Sequence, residues 1–297
     1  MAVTLTNIFP SYDIKANVPL ANYTNTRVGG PADWIFWPKS LAELKAVVAY
    51  AHQIDLPVLV LGNASNLIIT DDGYRGLVIF LTQLTRITVS EHAVTALAGA
   101  ALIDVTTKAA EYGLTGLEWA AGIPGSVGGA VYMNAGAYGG QVDAYLESAD
   151  VLTATGELKT YQNAELAFGY RHSKVQDTGE VIVAATFHLE PGNATQIWST
   201  MEEFNTRRAQ KQPLEYPSCG SVFKRPAGHF AGKLIMDAGL QGFTVGGAQV
   251  SRKHAGFIVN LGSATSADYV AVIAHVQETV AKQFAVQLEP EVRILGH

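Results

Sequence analysis

The sequence predicts a mixed α and β protein built from two or three packed lobes. At 297 residues the chain is long for a single core. Amphipathic helical patterns alternate with short apolar β runs, and a glycine-rich stretch between residues 120 and 140 interrupts them. Apolar residues make up 48% of the chain and charged residues 15%, which provides for a buried core and excludes a largely disordered protein.

The first helix is predicted to begin after Ser40, because Ser40 and Glu43 have the spacing of a capping box. Apolar side chains recur on one face of this helix at Leu41, Leu44, Val47, Val48 and Ala51.

Two short β runs, 58–61 and 67–69, flank the polar loop 62–66, and residues 77–81 predict a further strand. A helix over 103–112 is predicted to end at Gly113, since a residue without Cβ suits a left-handed cap. The first part of the chain therefore mixes helices and strands.

Residues 120–140 hold seven glycines and almost no charge, which predicts neither a helix nor an ordinary strand. Glycine permits close approach of backbone N–H groups to a ligand, so the stretch can wrap a large cofactor. The loop 62–66 can hold a pyrophosphate in the same way. The alternatives are glycines packed for steric reasons and a plain turn. Neither segment fits GxGxxG or GxxxxGK[ST], which disfavours a Rossmann dehydrogenase or a P-loop enzyme.

The second half of the chain is also predicted to contain both helices and strands. Residues 150–153 and 181–189 predict strands, and a helix near 200–208 followed by a turn-rich segment predicts a lobe boundary around 200–215. A long helix is expected over 266–284, with apolar residues at helical spacing at Tyr269, Val270, Ile273, Val276 and Val280.

Composition also excludes several classes of function. The net charge of −6, without a basic cluster, argues against a nucleic-acid partner. The lone Cys219 forms no internal disulfide, and the eight histidines show no metal-ligand spacing, so no metal site is expected. Without a secretory leader or an apolar run near 18 residues, the sequence predicts a cytoplasmic protein with no membrane partner. It indicates neither an oligomeric state nor a preference for NADPH over NADH.

Three short segments carry reactive-looking side chains, at Arg171, Ser221 and Glu291. Separately, each has an ordinary alternative: a surface ion-pair partner, a turn residue after glycine and a solvated carboxylate. Their combination with ordered motifs along most of the chain gives them weight. Those motifs are YTNTRVGGPAD (23–33), LGNASNL (61–67), AGIPGSVGGA (121–130), NAGAYG (134–139), YRHS (170–173), CGSVFKRP (219–226), AQVSRKHAGF (248–257) and LEPEV (288–292).

These motifs, in this order, resemble those of the UDP-N-acetylenolpyruvoylglucosamine reductase (MurB) family, and the length and the 246–260 stretch resemble its shorter type II branch. The resemblance implies an α+β fold: a two-lobed FAD-binding module of the vanillyl-alcohol-oxidase type and a C-terminal α/β substrate-binding lobe. We expect lobes at 1–84, 85–200 and 201–297. The implied reaction is NADPH-dependent reduction of an enolpyruvyl UDP-sugar through FAD, in peptidoglycan precursor synthesis for cell wall biogenesis, cell shape and cell division.

The resemblance also implies roles for individual residues. Arg171 is expected to bind the substrate carboxylate, Ser221 to donate a proton, and Glu291 to lie in the active site in a role left open. Lys211, Lys224 and Arg225 are candidates for binding diphosphate or carboxylate. Contacts to non-covalently bound FAD are expected from Gly62, Asn63, Ala64, Ser65, Asn66, Gly122, Ile123, Pro124, Gly125, Ser126, Gly128, Gly129, Ala130, Asn134, Gly136 and Ala137.

Two positions depart from the family pattern, Ala64 where many relatives have glycine and Cys219 where alanine is common. Ala64 restricts the backbone if its φ must be positive. Two rival functions have less support in the sequence. A flavin oxidase of the same fold often carries a histidine for covalent flavin attachment, and residues 120–140 contain none. A non-enzymatic nucleotide-sugar-binding module does not require Arg171, Ser221 and Glu291 together.

Overall fold

Residues 4–296 are described by a computed structural model, in which they divide into two units. The first unit contains residues 4–16, 34–63 and 76–207, and the second contains 17–33, 64–75 and 208–296. The chain therefore crosses between the units several times. The division at 207/208 lies within a helix, and the three expected lobes with boundaries at 84 and 200 remain a prediction.

The helices are α1 (Leu5–Ile8), α2 (Leu41–Gln53), α3 (Leu102–Glu111), α4 (Val127–Tyr132), α5 (Val175–Thr178), α6 (Ala194–Lys211), α7 (Ala231–Asp237) and α8 (Ser266–Phe284). The strands are β1 (Ile14–Pro19), β2 (Pro31–Phe36), β3 (Val58–Leu61), β4 (Leu67–Ile69), β5 (Tyr74–Phe80), β6 (Ile87–Ser90), β7 (Ala93–Leu97), β8 (Leu114–Thr115), β9 (Gly136–Ala137), β10 (Gly140–Gln141), β11 (Leu146–Leu152), β12 (Leu158–Gln162), β13 (Val181–His188), β14 (Glu190–Pro191), β15 (Ser218–Ser221), β16 (Thr244–Val245), β17 (Ala248–Val250), β18 (Phe257–Asn260) and β19 (Arg293–Leu295).

The first unit contains an antiparallel sheet in the order β12–β11–β13–β7–β6. A four-stranded sheet has the order β1–β2–β5–β3, in which β3 runs parallel to β5 with Val58 opposite Leu77. One continuous apolar core includes residues of both sheets and of α2, α3 and α4. This core fixes the strand ends from which the loop after β3 and the loop before α4 emerge.

Helix α2 follows the sequence prediction closely. Ser40 is its N-cap, and the Ser40 hydroxyl accepts a hydrogen bond from Glu43 N–H at 3.2 Å. The Glu43 carboxylate accepts from Lys39 N–H at 2.8 Å, one residue before the N-cap N–H that a capping box would use. Four of the five predicted apolar side chains are buried, and Leu41 packs partly buried at the edge of the core.

The second unit is built on the sheet β15–β18–β17–β16, whose apolar residues share a core with α7 and α8. Strand β19 pairs in parallel with β4, with Ile294 opposite Ile68. The start of α8 is held by Asp71, whose carboxylate accepts hydrogen bonds from Ser266 N–H at 2.9 Å and Ala267 N–H at 3.2 Å. A carboxylate there also complements the positive end of the helix dipole.

Several predicted elements need correction. Residues 127–132 form a helix inside the stretch for which no helix was expected, and β9 and β10 follow it. The helix forms because Ser126 caps it and because Val127 N–H and Gly128 N–H donate to carbonyls outside it, at Ala100 and Ala98. On α8, Val270 is 40% exposed and does not belong to the buried face. The helix predicted near 200–208 extends over Ala194–Lys211.

Asp268 gives α8 a pH-dependent contribution to stability. Its carboxylate accepts from Thr265 N–H at 2.9 Å and Gly247 N–H at 3.1 Å, and these bonds hold the pKa of Asp268 below its usual value. Because the folded pKa is lowered, this contribution is present above the ordinary carboxyl range near pH 4 and is lost as the pH falls through the lowered value. We expect Asp268→Asn to lower the thermal unfolding midpoint by a few degrees at pH 7, as for loss of about 1 kcal/mol of capping.

Circular dichroism melts of both proteins from pH 7 to pH 3 measure the effect, and the difference between them should shrink as the pH falls. The exposed Glu278 on the same helix provides the control variant Glu278→Gln, for which a smaller change is expected. A difference that persists unchanged at pH 3 contradicts the assignment.

Candidate functional site

The loop after β3 is fixed against the start of α4 within the first unit. A Cβ at Gly62 would overlap the Ser126 hydroxyl, so only glycine fits there. The Asn63 amide donates to the Pro124 carbonyl at 3.3 Å. The structure therefore brings together Gly62, Asn63, Pro124 and Ser126, four of the predicted cofactor-binding residues.

Four successive backbone N–H groups in this loop donate no hydrogen bond to the part of the chain that the structure describes. Within residues 4–296, the N–H groups of Asn63, Ala64, Ser65 and Asn66 donate to no protein acceptor. Ala64 has φ 45°, the left-handed conformation that was uncertain from the sequence. Successive main-chain N–H groups that have no protein acceptor suit an anionic ligand.

The second half of the loop is tied to the C-terminal segment of the second unit. The Asn66 amide donates to the Glu291 carbonyl at 3.3 Å, and Arg293 N–H donates to the Asn66 carbonyl at 3.2 Å. Asn66 is therefore bonded through side chain and backbone to the segment that carries Glu291. Of these groups of Asn66, the backbone N–H remains for the predicted contact with the cofactor.

Close packing explains why glycine occurs at the start of α4. A Cβ at Gly128 would lie 2.9 Å from that of Ala98, because the helix packs closely on this segment. Leu102 N–H donates to the Gly125 carbonyl at 2.9 Å, and the Ser126 hydroxyl accepts from Gly129 N–H at 3.2 Å. The steric alternative weighed for this stretch therefore holds at Gly128, alongside any contact with a ligand.

Asn134 is 1% exposed and has φ 42°. Its amide donates to the Asp143 carboxylate and to the Gly169 carbonyl, both at 3.0 Å, and its amide oxygen accepts from Asp143 N–H at 3.0 Å. This side chain shapes the turn that follows α4. Any contribution of Asn134 to the cofactor would come through its backbone and the conformation of the loop.

Arg171 lies in the first unit, in a turn where its own φ is 57°. Its guanidinium donates to the carbonyls of Asn134 at 3.4 Å and Gly136 at 3.1 Å, and lies 5.1 Å from the ring centre of Tyr170. The structure thus joins the predicted catalytic arginine to the glycine-rich loop.

Ser221 and the Glu291 segment are neighbours in the second unit. The carbonyl of Val222, directly after Ser221, accepts from Glu291 N–H at 2.7 Å, and Phe223 forms a β-bridge with Pro290. Gly220, with φ 77°, turns the strand so that Ser221 is exposed at its end. Two of the three predicted catalytic residues therefore share one backbone framework.

The three predicted substrate cations differ in their surroundings. Lys224 forms an ion pair with Glu289 at 3.3 Å, and Arg225 lies 4.0 Å from the ring centre of Phe230. Lys211 ends α6 near His254, whose pKa is lowered first by burial and further by the charge of Lys211. His254 Nδ1 accepts from Gly256 N–H at 3.1 Å, which leaves the proton of the neutral ring on Nε2.

Cys219 is 2% exposed, and burial raises the pKa of its thiol to about 12. A thiol held in its protonated form is a poor nucleophile and metal ligand. Among residues 4–296, no group of three or more His, Cys, Asp or Glu side chains is arranged to hold a metal ion. None of the helices described is long and apolar enough to cross a membrane.

Sequence reasoning did not identify Asp143 or Gln176 as parts of the site. Asp143 bonds the buried Asn134 amide, and the Gln176 amide donates to the carbonyls of Tyr132 and Arg171. Neither residue belongs to a motif, and both are distant in sequence from one or more of their partners. Gln176 binds Arg171 directly, and Asp143 is linked to it through Asn134, by contacts that the tertiary structure creates.

Comparisons with known proteins assign both parts of the chain. The family model of an FAD binding domain matches residues 32–162, and that of the UDP-N-acetylenolpyruvoylglucosamine reductase C-terminal domain matches 212–295. The UDP-N-acetylenolpyruvoylglucosamine reductase of Pediococcus pentosaceus is 57% identical, covering 100% of this chain and 99% of its own, and that of Lactiplantibacillus plantarum is 57% identical, covering 97% and 95%. The crystal structure of the reductase (MurB) from Thermus caldophilus is 35% identical with a TM-score of 0.84, covering 95% of this chain and 99% of its own. The predicted α+β flavoprotein fold is confirmed.

Proposed function

The chain belongs to the UDP-N-acetylenolpyruvoylglucosamine reductase family, and on that premise we propose how its residues serve the reaction. It is an FAD-dependent oxidoreductase that reduces UDP-N-acetylglucosamine enolpyruvate to UDP-N-acetylmuramate with NADPH, in peptidoglycan precursor synthesis. Its substrate is a small UDP-sugar. A cytoplasmic location is part of the proposal, since a reducing compartment suits a chain whose one cysteine has no internal partner.

One observation carries the proposed cofactor site: the region that matches an FAD binding domain contains the four N–H groups without a protein acceptor. These groups in loop 63–66 suit the uncompensated charge of a diphosphate. The uncharged 122–137 stretch suits the approach of a large cofactor to main chain, and Gly62 lets the loop pack against Ser126 at its start. The residues therefore fit FAD. Because 120–140 contains neither His nor Cys, the binding is proposed to be non-covalent.

The chemistry that FAD supplies when bound is uptake of hydride from NADPH and its delivery to the enolpyruvyl double bond. Arg171 is proposed to bind the substrate carboxylate, because a second negative charge develops toward that carboxylate and a guanidinium offers paired donors. Ser221 is proposed to deliver the proton to the adjacent carbon. Glu291 is held on the Ser221 segment by the bond from its N–H group to Val222, which suits a role in orienting groups around the serine.

Lys211, Lys224 and Arg225 are proposed to bind the diphosphate or carboxylate of the substrate. Lys224 must leave its pair with Glu289 to do so. Exposed ion pairs contribute at most about 1 kcal/mol, so breaking the pair between Lys224 and Glu289 costs little free energy. Of the three, Lys211 is favoured because it lies upstream of Ser221, as the resemblance to the family implies for the substrate lysine.

Gly62→Ala is expected to weaken FAD binding at least tenfold, because the added methyl displaces the Ser126 hydroxyl that caps α4. Titration of apoprotein with FAD, followed by flavin fluorescence, measures the change. Gly232→Ala in α7 is the matched control, since its Cβ would meet nothing closer than 3.4 Å, and it should bind FAD normally. Equal affinity in wild type and Gly62→Ala would remove this loop from the cofactor site.

Arg171→Lys is expected to retain FAD and to slow reoxidation of reduced flavin by the enolpyruvyl substrate by roughly tenfold to a hundredfold. An ammonium offers no planar pair of donors to the carboxylate. Anaerobic stopped-flow absorbance at the flavin band reads this step directly. Turnover equal to wild type would place Arg171 outside the substrate site.

Ser221→Ala is expected to separate the two half-reactions. Bleaching of the flavin by NADPH needs no proton donor at the substrate and should keep close to the wild-type rate. Reoxidation by the enolpyruvyl sugar should slow about a hundredfold or more, the low end for loss of a positioned general acid. Slowing of both steps by the same factor would mean that Ser221 shapes the site without delivering the proton.

A further inference from the structure

Gln176 makes two hydrogen bonds that join Arg171 to the end of α4. Its Nε2 donates to the Tyr132 carbonyl at 2.6 Å and to the Arg171 carbonyl at 3.1 Å. The same nitrogen also makes a long contact of 4.0 Å to Met133 Sδ, so its two hydrogens are shared among three acceptors, of which the two carbonyls are the nearer. Gln176 lies on the one-turn helix α5, five residues after Arg171, and is partly buried.

The main chain that these bonds hold is conformationally unfavourable. An L-residue at φ 57° brings its Cβ close to the following carbonyl oxygen, so the conformation persists only where neighbouring contacts impose it. The turn is held on both sides. The Asn134 amide binds the Gly169 carbonyl on one side of Arg171, and the Gln176 amide binds the Arg171 carbonyl itself.

The direction of the guanidinium follows from this backbone. The Arg171 side chain bonds the carbonyls of Asn134 and Gly136, which follow α4 directly. Gln176 bonds the carbonyl of Tyr132, the last residue of α4. Hydrogen bonds therefore connect both the side chain and the backbone carbonyl of Arg171 to the segment around the end of α4. Gln176 is the residue that binds the Arg171 carbonyl.

We propose that Gln176 is a positioning residue for Arg171: it holds the strained arginine backbone against the cofactor-binding segment so that the guanidinium is directed at the substrate carboxylate. This inference rests on the proposed role of Arg171. Gln176 acts through the backbone of Arg171, and it should therefore affect only the step that uses the guanidinium.

The chain offers a matched control in Ser173, which is fully buried and donates to the same Tyr132 carbonyl at 2.7 Å. Ser173→Ala removes a hydrogen bond to that carbonyl and leaves the bond to Arg171. Gln176→Met keeps length and approximate volume and removes both donors. Gln176→Glu keeps the shape with an acceptor in place of Nε2, and it provides the test if the Met variant does not fold.

The experiment measures both half-reactions of the FAD-loaded proteins by anaerobic stopped flow. In Gln176→Met, reoxidation by the enolpyruvyl UDP-sugar should slow about tenfold, while reduction by NADPH stays within about twofold of wild type. Ser173→Ala should leave both rates near wild type. In the Arg171→Lys background, Gln176→Met should add little further slowing, because the guanidinium it positions is already absent.

Other outcomes are equally informative. Slowing of both half-reactions in Gln176→Met, slowing equal to that of Ser173→Ala, or full additivity with Arg171→Lys would each overturn the positioning role while leaving Arg171 in the active site. If Arg171→Lys itself reoxidises at the wild-type rate, the proposed role of Arg171 fails and the role of Gln176 fails with it.

Discussion

The buried amide of Asn134 is the interaction on which the geometry of the first unit's site depends. It exchanges hydrogen bonds with Asp143 in both directions and binds the Gly169 carbonyl, all at 3.0 Å. A polar group left without a partner at this depth costs about 1–3 kcal/mol, so the bonds hold one another in place. They keep Asn134 in a left-handed conformation, and in that conformation its own carbonyl receives the Arg171 guanidinium. A side chain bonded wholly to protein thus sets the position of the proposed substrate-binding arginine.

The chain recognises anions although its net charge is −6. We propose that different groups bind the diphosphate of the cofactor and the anionic groups of the substrate. The proposed cofactor loop offers neutral N–H dipoles, which need no counter-ion when the site is empty and can lie partly buried. The proposed substrate contacts are a few discrete cations, of which Arg171 donates to the Gly136 carbonyl and Lys224 is paired with Glu289. An acidic surface with only local positive charge also disfavours non-specific binding of polyanions.

Elements with a strong local pattern were predictable from the sequence, and those made by distant contacts were not. Helix α8 has the predicted bounds, 266–284, because its capping box and its apolar stripe are both local. Helix α4 was missed because its glycines oppose helix formation, and its start is bonded to carbonyls at 98 and 100. The motifs indicated Arg171, Ser221 and Glu291 as a set. Gln176 was invisible, since its function depends on a fold that places residues 132 and 171 beside one amide.

The two departures from the family pattern have different physical consequences. Cys219 lies in the same strand as Ser221 and contributes a small side chain to the buried core, where burial raises its pKa to about 12 and keeps the thiol protonated. Ala64 is 5% exposed at φ 45°, where its Cβ costs roughly 1 kcal/mol relative to glycine. The conformation is imposed by bonds on both sides, from Asn25 N–H to the Ala64 carbonyl and from Asn66 to the Glu291 segment. The smaller conformational entropy of an unfolded alanine does not offset this cost, because the left-handed conformation strains any residue with a Cβ. The loop therefore keeps its conformation through these bonds and not through the preference of Ala64.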